Sequence, residues 1–208
     1  MRILVIVSIT GLDGGKMEER MSFLRSIARD GTEVEYLQVR EGPPAIECAV
    51  DHLQAAAEVI KHVEAAEADG YDAVISWCGG DPGVEEARTL VDIPVIGPGE
   101  AMRLLASMAG KRVGRIRHPL PVLRLRDDLD LTYRLTEEAI RAAVAEGYDS
   151  FYLDCLGMFG MGRPLRERTG LPVVDGGEAS LKLAEVAVEL GLGPSRVAYP
   201  RYPPPHRL

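Results

Sequence analysis

Residues 70–101 read GYDAVISWCGGDPGVEEARTLVDIPVIGPGEA, and most of this stretch recurs at residues 147–179 as GYDSFYLDCLGMFGMGRPLRERTGLPVVDGGEA. Both copies open with Gly-Tyr-Asp, at Gly70-Tyr71-Asp72 and Gly147-Tyr148-Asp149. Both carry a cysteine eight residues after that glycine, Cys78 and Cys155. Pro94-Val95 and Gly99-Glu100-Ala101 follow in the first copy, Pro172-Val173 and Gly177-Glu178-Ala179 in the second. The offset is 77 at the cysteines and 78 at the Pro-Val pairs, so one inserted residue separates the copies. Matches recurring in order at a near-constant offset mark two related halves.

Each copy reads as strand, turn, helix, strand. Residues 72–77 and 149–154 are short, mostly apolar runs of the kind that form buried strands. Each cysteine falls where its run stops, in Cys78-Gly79-Gly80 and Cys155-Leu156-Gly157. That point is the carboxyl end of a strand, where open α/β sheets build their sites. Asp81-Pro82 has the form of an N-cap followed by proline at the first helical position. Packing the halves about a pseudo-twofold axis sets the two thiols across one cleft. The expected fold is α/β, with two pseudo-symmetric lobes, each a parallel sheet flanked by helices, and the site in the cleft between them. The first lobe is expected to span residues 1–100 and 178–208, the second residues 101–177.

The flanks continue the alternation. A strand at Ile3–Val7 runs into a turn-rich loop, Ser8–Gly15, and a helix from about Met17 to Arg29. Gly14-Gly15-Lys16 is not a nucleotide P-loop, because Thr10 stands where the leading glycine belongs and Met17 where Ser or Thr belongs. Glu33–Val39 alternates like a strand with one wet face, and Pro43-Pro44 ends it. Ala45–Glu67 reads as one Ala-rich amphipathic helix with Ala56, Ile60 and Val63 on one face, and Cys48 near its start as a small buried hydrophobe. After the first copy come a helix to about Ala109 and a strand near Arg112–Ile116. The proline- and charge-rich Arg117–Asp128 forms the crossing between halves. Helix Thr132–Glu146 leads into the second copy and helix Ala179–Leu190 follows it. The proline-rich tail Tyr199–His206 is expected to lie extended.

At 208 residues, with 46% hydrophobic and 27% charged side chains, the chain can bury an ordinary core. A net charge of −8 without any basic run argues against nucleic acid as a partner. The opening apolar run is too short for a signal peptide or a membrane span, so no membrane partner is expected. Three cysteines make no disulfide framework, which points to a reducing cytoplasm. The chain has no Asn and only Gln38 and Gln54, a scarcity of heat-labile amides that fits a heat-adapted source. His52 and His62 lie ten apart on one helix, and His118 and His206 adjoin prolines, so no metal site is indicated. No dinucleotide fingerprint or lysine-anchored pyridoxal pattern is present, and the expected cofactor is none. Whether the chain forms a homo-oligomer is left open.

A single cysteine at a strand end is ordinarily inert packing. Two cysteines kept at the same point of diverged halves suggest chemistry. Opposed thiols suit removal of a proton from one face of a carbon and its return on the other, which inverts that carbon. A thiol pKa of about 8.5 falls near a helix N-terminus, giving thiolate base and thiol acid as an interchangeable pair. Backbone N–H groups of Gly79, Gly80, Leu156 and Gly157 are candidates to hold a carboxylate or a developing enolate. Asp81, Glu100 and Glu178 read as helix caps. Trp77 and Asp154 precede the two cysteines, and a buried Asp154 raises the Cys155 thiol pKa and makes the pair unequal.

These residues carry a family likeness. The run Asp72–Gly83, followed by Ile93-Pro94-Val95-Ile96-Gly97 and Gly99-Glu100-Ala101, resembles the hydantoin racemase branch of the aspartate/glutamate racemase superfamily. Cys155-Leu156-Gly157-Met158 resembles the second cysteine motif of that branch. The likeness covers both repeats, roughly a third of the chain. It implies a cofactor-independent racemase or epimerase of a hydantoin or amino-acid-like substrate, with Cys78 and Cys155 as the two bases. The implied partner is a small molecule carrying a carboxylate or a hydantoin ring. Where the family's first strand ends in an Asn-Pro-Asn-Thr-like substrate loop, this chain has Ser8-Ile9-Thr10-Gly11, and the hydroxyls of Ser8 and Thr10 are the candidates for that role. The link at Arg115–Pro119 is also shorter than the family's. Decarboxylation or cis–trans isomerisation within the superfamily, and non-catalytic binding of a small anion, remain as alternatives.

Overall fold

The computed structural model describes residues 1–201. Strand β1 (Arg2–Val7) is apolar from Ile3 onward, and a strand without a polar face is stable only between two layers. It pairs in parallel with β2 (Glu33–Gln38) and β3 (Ala73–Ser76). β3 also pairs with β4 (Val95–Ile96), giving a four-stranded sheet of order β2-β1-β3-β4. A separate parallel sheet holds β5 (Val113–Ile116), β6 (Ser150–Leu153) and β7 (Val173–Val174), in that order. Within each sheet the strands are joined through helices, as parallel pairing requires.

Alternate residues of β1 feed two cores. Ile3, Val5 and Val7 pack on helix α1 (Gly14–Ile27) through Met17, Met21 and Leu24. Leu4 and Ile6 pack on α2 (Ala49–Ala68) through Val59, Val63 and Ala66. Each such burial contributes about 1.5–3 kcal/mol. The buried stripe of α2 therefore runs Ala55, Val59, Val63, Ala66; Ala56 and Ile60 lie one step round, only half-buried. α2 also starts later than expected, at Ala49 rather than Ala45. Cys48 is its N-cap residue, and the Asp51 carboxylate accepts from the N–H groups of Glu47 (2.9 Å) and Cys48 (3.1 Å). In the second sheet, Phe151 and Leu153 are buried with Ile140 of α5 (Leu129–Ala145) and Leu165 of α6 (Gly162–Thr169).

Two helices cross between the sheets. α4 (Pro98–Ala109) follows β4 yet packs on β5, β6 and β7, while α7 (Gly176–Glu189) follows β7 yet packs on α1, β3 and β4. The two pack against each other, with Ala101, Met102 and Ala179 buried in their joint. Leu156 and Phe159, from the second copy, belong to the same buried cluster as β1 and α1. The halves are thus tied by shared core as well as by chain.

The repeated residues turn out to be matched struts. Gly70 and Gly147, at φ +78° and +89°, sit at the ends of α2 and α5 in the left-handed region that favours glycine. The next residues, Tyr71 and Tyr148, lie under the guanidinium groups of Arg2 (4.3 Å) and Arg112 (5.1 Å). Asp72 then accepts the N–H of Arg2 at 2.7 Å, and Asp149 accepts those of Lys111 and Arg112 at 2.9 Å each. Arg88 and Arg166 form a further pair, donating to the carbonyls of Val95 and Val173 at 2.8 Å each. They also pair with Glu100 and Glu178. Glu100 keeps its capping role, accepting from Gly97 N–H at 3.1 Å.

Asp81 caps a helix, but not the one that follows it. Gly83 is the N-cap of the short α3 (Val84–Ala87), whereas Asp81, itself at φ +58°, reaches α4 and accepts from Gly99 (2.6 Å) and Glu100 (2.8 Å) N–H groups. In the second half Asp175 caps α7 from the cap position, accepting from Gly177 (2.7 Å) and Glu178 (3.2 Å). Gly97 stands where Asp175 stands, and a Cβ there would fall 2.6 Å from Cγ of Asp81. One aspartate thus serves the N-terminus of each of α4 and α7, from different positions in the chain. At the far end, Arg201 bonds Glu67 at 2.6 Å; residues 202–206 of the expected extended tail lie outside the described residues. Among the described residues no helix is long and apolar enough to cross a membrane.

Candidate active site

A cavity of about 500 Å³ opens between the two cysteine-bearing strand ends. Cys78 follows β3 after Trp77, and Cys155 follows β6 after Asp154; both line the cavity. Each sulfur accepts the N–H of the glycine two residues on, Gly80 for Cys78 and Gly157 for Cys155, at 3.4 Å in both cases. The loops touch. A Cβ on Gly79 would fall 2.0 Å from the carbonyl oxygen of Asp154 and 3.6 Å from the backbone nitrogen of Cys155. Only glycine permits that approach, which explains Gly79 more directly than a ligand does.

Gly79, Gly80, Leu156 and Gly157 all line the cavity. The amides of Gly80 and Gly157 are turned to the sulfurs rather than to a ligand's oxygen. From the first loop the wall takes Ile9 and Leu12, not Ser8 and Thr10. The Thr10 hydroxyl donates to the Pro43 carbonyl at 3.3 Å, and the Ser8 hydroxyl is fully buried without a protein partner. The Pro43–Pro44 segment runs against this loop, with Thr10 and Gly11 N–H groups bonded to the Pro43 and Pro44 carbonyls at 3.0 Å each. The expected substrate hydroxyls are therefore spent on, or sealed beneath, the protein itself.

Burial pushes both thiols up, Cys78 to about 11 and Cys155 to about 12, against the lowering effect of the Gly80 and Gly157 amides. This reverses the expected fall near a helix N-terminus: each N–H helps, but loss of water outweighs it. Asp154 adds to the rise at both sulfurs, and Cys78 adds to it at Cys155. Asp154 is held by Arg115 (3.1 Å) and by the N–H of His118 (2.9 Å).

Other wall residues carry no mark in the repeat. Cys48 is exposed and lines the cavity, contrary to its expected burial, because α2 begins only at Ala49 and leaves it at the mouth. His52, a turn further on, bonds the Gly80 carbonyl through Nε2 at 2.9 Å. Glu47 accepts the Val122 N–H at 2.8 Å, pinning the crossing segment to the rim. Arg20 is 4% exposed and lies on the wall. Its legible signal is its place on the Met17, Met21, Leu24 stripe of α1, where a charge is out of pattern. Trp77 lines the cavity and packs on Phe159 with ring centres 6.5 Å apart. Among the described residues no group of three or more His, Cys, Asp or Glu side chains is gathered to hold a metal ion.

This arrangement offers two thiols from repeat-related strand ends bordering one cavity, each with one amide already aimed at it. A profile of the Asp/Glu/hydantoin racemase family matches residues 20–116. The hydantoin racemase of Pseudomonas sp. (strain NS671) is 31% identical over 207 residues, covering 86% of this chain and 83% of that protein. The hydantoin racemase of Paenarthrobacter aurescens is 30% identical over 225 residues, covering 94% of each. Among solved structures, the allantoin racemase from Klebsiella pneumoniae superposes with a TM-score of 0.87 at 31% identity, covering 97% of this chain and 94% of that one.

Proposed function

The chain belongs to the Asp/Glu/hydantoin racemase family, and from that premise we propose that it inverts a carbon of a hydantoin or related amino-acid derivative, with Cys78 and Cys155 as its two bases. The observation that carries the reading is the pair of repeat-related thiols bordering one cavity. A ring held between them has one face toward each sulfur. One thiolate removes the proton from its face, the other thiol supplies one to the opposite face, and the roles reverse for the other enantiomer.

Ionising a thiol of pKa about 11 at pH 8 costs about 4 kcal/mol, so the resting pair is neutral. The same burial makes any thiolate formed there a stronger base than an ordinary one, better matched to a weakly acidic carbon. The Gly80 and Gly157 amides stabilise the charge wherever it sits in the pair. Gly79 and Leu156 line the same cavity, and their amides are the candidate donors for the oxygen of a developing enolate. The crossing segment pinned by Glu47 walls the cleft beside them, and exclusion of water there strengthens each of these interactions.

The test is to incubate single enantiomers of 5-substituted hydantoins with the protein in heavy water. Loss of optical activity with one deuterium entering at the ring carbon is expected. Neither exchange nor inversion across the set would refute the reading.

A further inference from the structure

We propose that Arg20 is the receptor for a carboxylate on the substrate, so that the ring inverted between the two cysteines carries an acidic side chain. The proposal rests on the racemase reading above and supplies its substrate class. Arg20 is buried on the inner face of α1 and forms part of the cavity wall. Its guanidinium is held but not satisfied. One nitrogen donates to the Lys16 carbonyl at 2.6 Å, and one face packs over the Phe159 ring at 5.2 Å. Arg126 lies over the same ring at 3.9 Å, a second positive charge close by.

The neighbouring acids are already engaged. Glu19 is paired with Arg126, and Asp13 caps α1 by accepting the Lys16 N–H at 2.9 Å. Across the cavity, Glu47 and Asp154 are bonded to the crossing segment and to Arg115. Among the described residues no carboxylate pairs with Arg20. Burial and the nearby Arg126 push its pKa down to about 10, against the opposing charges of Glu19, the Cys155 sulfur and Asp13. A mostly buried guanidinium without a direct ion pair is costly, and an anionic ligand in the cavity completes it. Five N–H donors in a planar fork match a carboxylate by two parallel hydrogen bonds, which a neutral ring substituent cannot return. Arg117 is also on the wall, so within a chain of net charge −8 this cavity presents a surplus of cations. The seat of Arg20 over Phe159, four residues after Cys155, sets the carboxylate on that side of the cleft.

The experiment compares racemisation of 5-carboxymethyl- and 5-(2-carboxyethyl)hydantoin with that of the corresponding side-chain amides, in the wild type, Arg20→Gln and Arg20→Lys. The wild type should favour acid over amide by about a hundredfold or more in kcat/KM. Arg20→Gln should bring that ratio close to one, and Arg20→Lys should keep part of it. Equal wild-type turnover of acid and amide would overturn the proposal without recourse to any variant, so a misfolded Arg20→Gln leaves it decidable. Loss of both substrates in equal measure in Arg20→Gln would overturn it too, assigning the charge to the Cys155 thiolate instead. Absence of inversion for every hydantoin, acid or neutral, would strike the racemase reading itself and this proposal with it.

Discussion

Replacing Gly79 by alanine asks whether the two cysteine loops act as one unit. The added Cβ would stand 2.0 Å from the Asp154 carbonyl oxygen and 2.8 Å from its carbon, where real side-chain carbons keep 3.0 Å or more. The obstacle is backbone and cannot rotate away. The end of β6 must therefore retreat by about 1 Å, carrying Cys155 from Cys78. Overpacking of this kind costs about 1–3 kcal/mol. At about 2–4 °C per kcal/mol for a chain of this size, the melting temperature should fall by roughly 2–12 °C. A displacement of about 1 Å between reacting groups costs roughly a hundredfold in rate. Gly80→Ala is the control, because its Cβ meets the His52 ring at 3.1 Å and a side chain can swing aside. Thermal melts by circular dichroism, with chiral chromatography of a racemised hydantoin, read both quantities. Wild-type rate and melting temperature for Gly79→Ala, or equal damage in Gly80→Ala, would refute the reasoning.

Two further outcomes follow from burial of charge. At pH 8 about one Cys78 in a thousand is a thiolate, so iodoacetamide should label Cys78 and Cys155 of the free protein more slowly than exposed Cys48. The rate at Cys78 should rise about tenfold per pH unit up to pH 10, read by peptide mass mapping; fast labelling at neutral pH would contradict the raised thiols. Burial also lifts the carboxyl of Asp175 from 3.8 to about 6. A folded pKa above the unfolded one means tighter proton binding in the folded state, so this contribution is full below about pH 4 and lost as pH rises through 6. The loss is about 3 kcal/mol. Urea unfolding at pH 4 and pH 7 should show the wild type losing stability relative to Asp175→Asn across that window, and parallel behaviour would sink the assignment.

The fold was legible because the repeat is written in residues whose roles are backbone roles. Gly70 and Gly147 end helices, Asp72 and Asp149 tie strand starts, and Pro94 and Pro172 lead into β4 and β7. Arg88 and Arg166 belong to the same pattern but sit where the copies otherwise diverge, so their equivalence emerges only from the shared Val95 and Val173 carbonyls. The cysteines were legible for the same reason. Gly79, Gly80, Leu156 and Gly157, next to them in the repeat, also reach the cavity, whereas the wall from single-copy segments was not legible. Cys48 reaches the cavity through the late start of α2, and His52 from the first turns of that helix. Asp81 was legible as a cap but not as the cap of α4, since nothing local relates it to Gly97. The direction of the thiol shifts was misjudged because a sequence shows which amides follow a cysteine but not how much water they leave it.

The central claim, two thiols sharing one inversion, is tested most directly by deuterium exchange in Cys78→Ala and Cys155→Ala, with each enantiomer of a hydantoin that the wild type racemises. Either replacement removes the donor on one face, so inversion should fall by about a hundredfold or more. The surviving thiol still faces one side of the ring. It should exchange the proton of that enantiomer for deuterium with retention, and the two variants should do so on opposite enantiomers. Inversion by Cys155→Ala at the wild-type rate, or exchange of the same enantiomer by both variants, would contradict the two-base account.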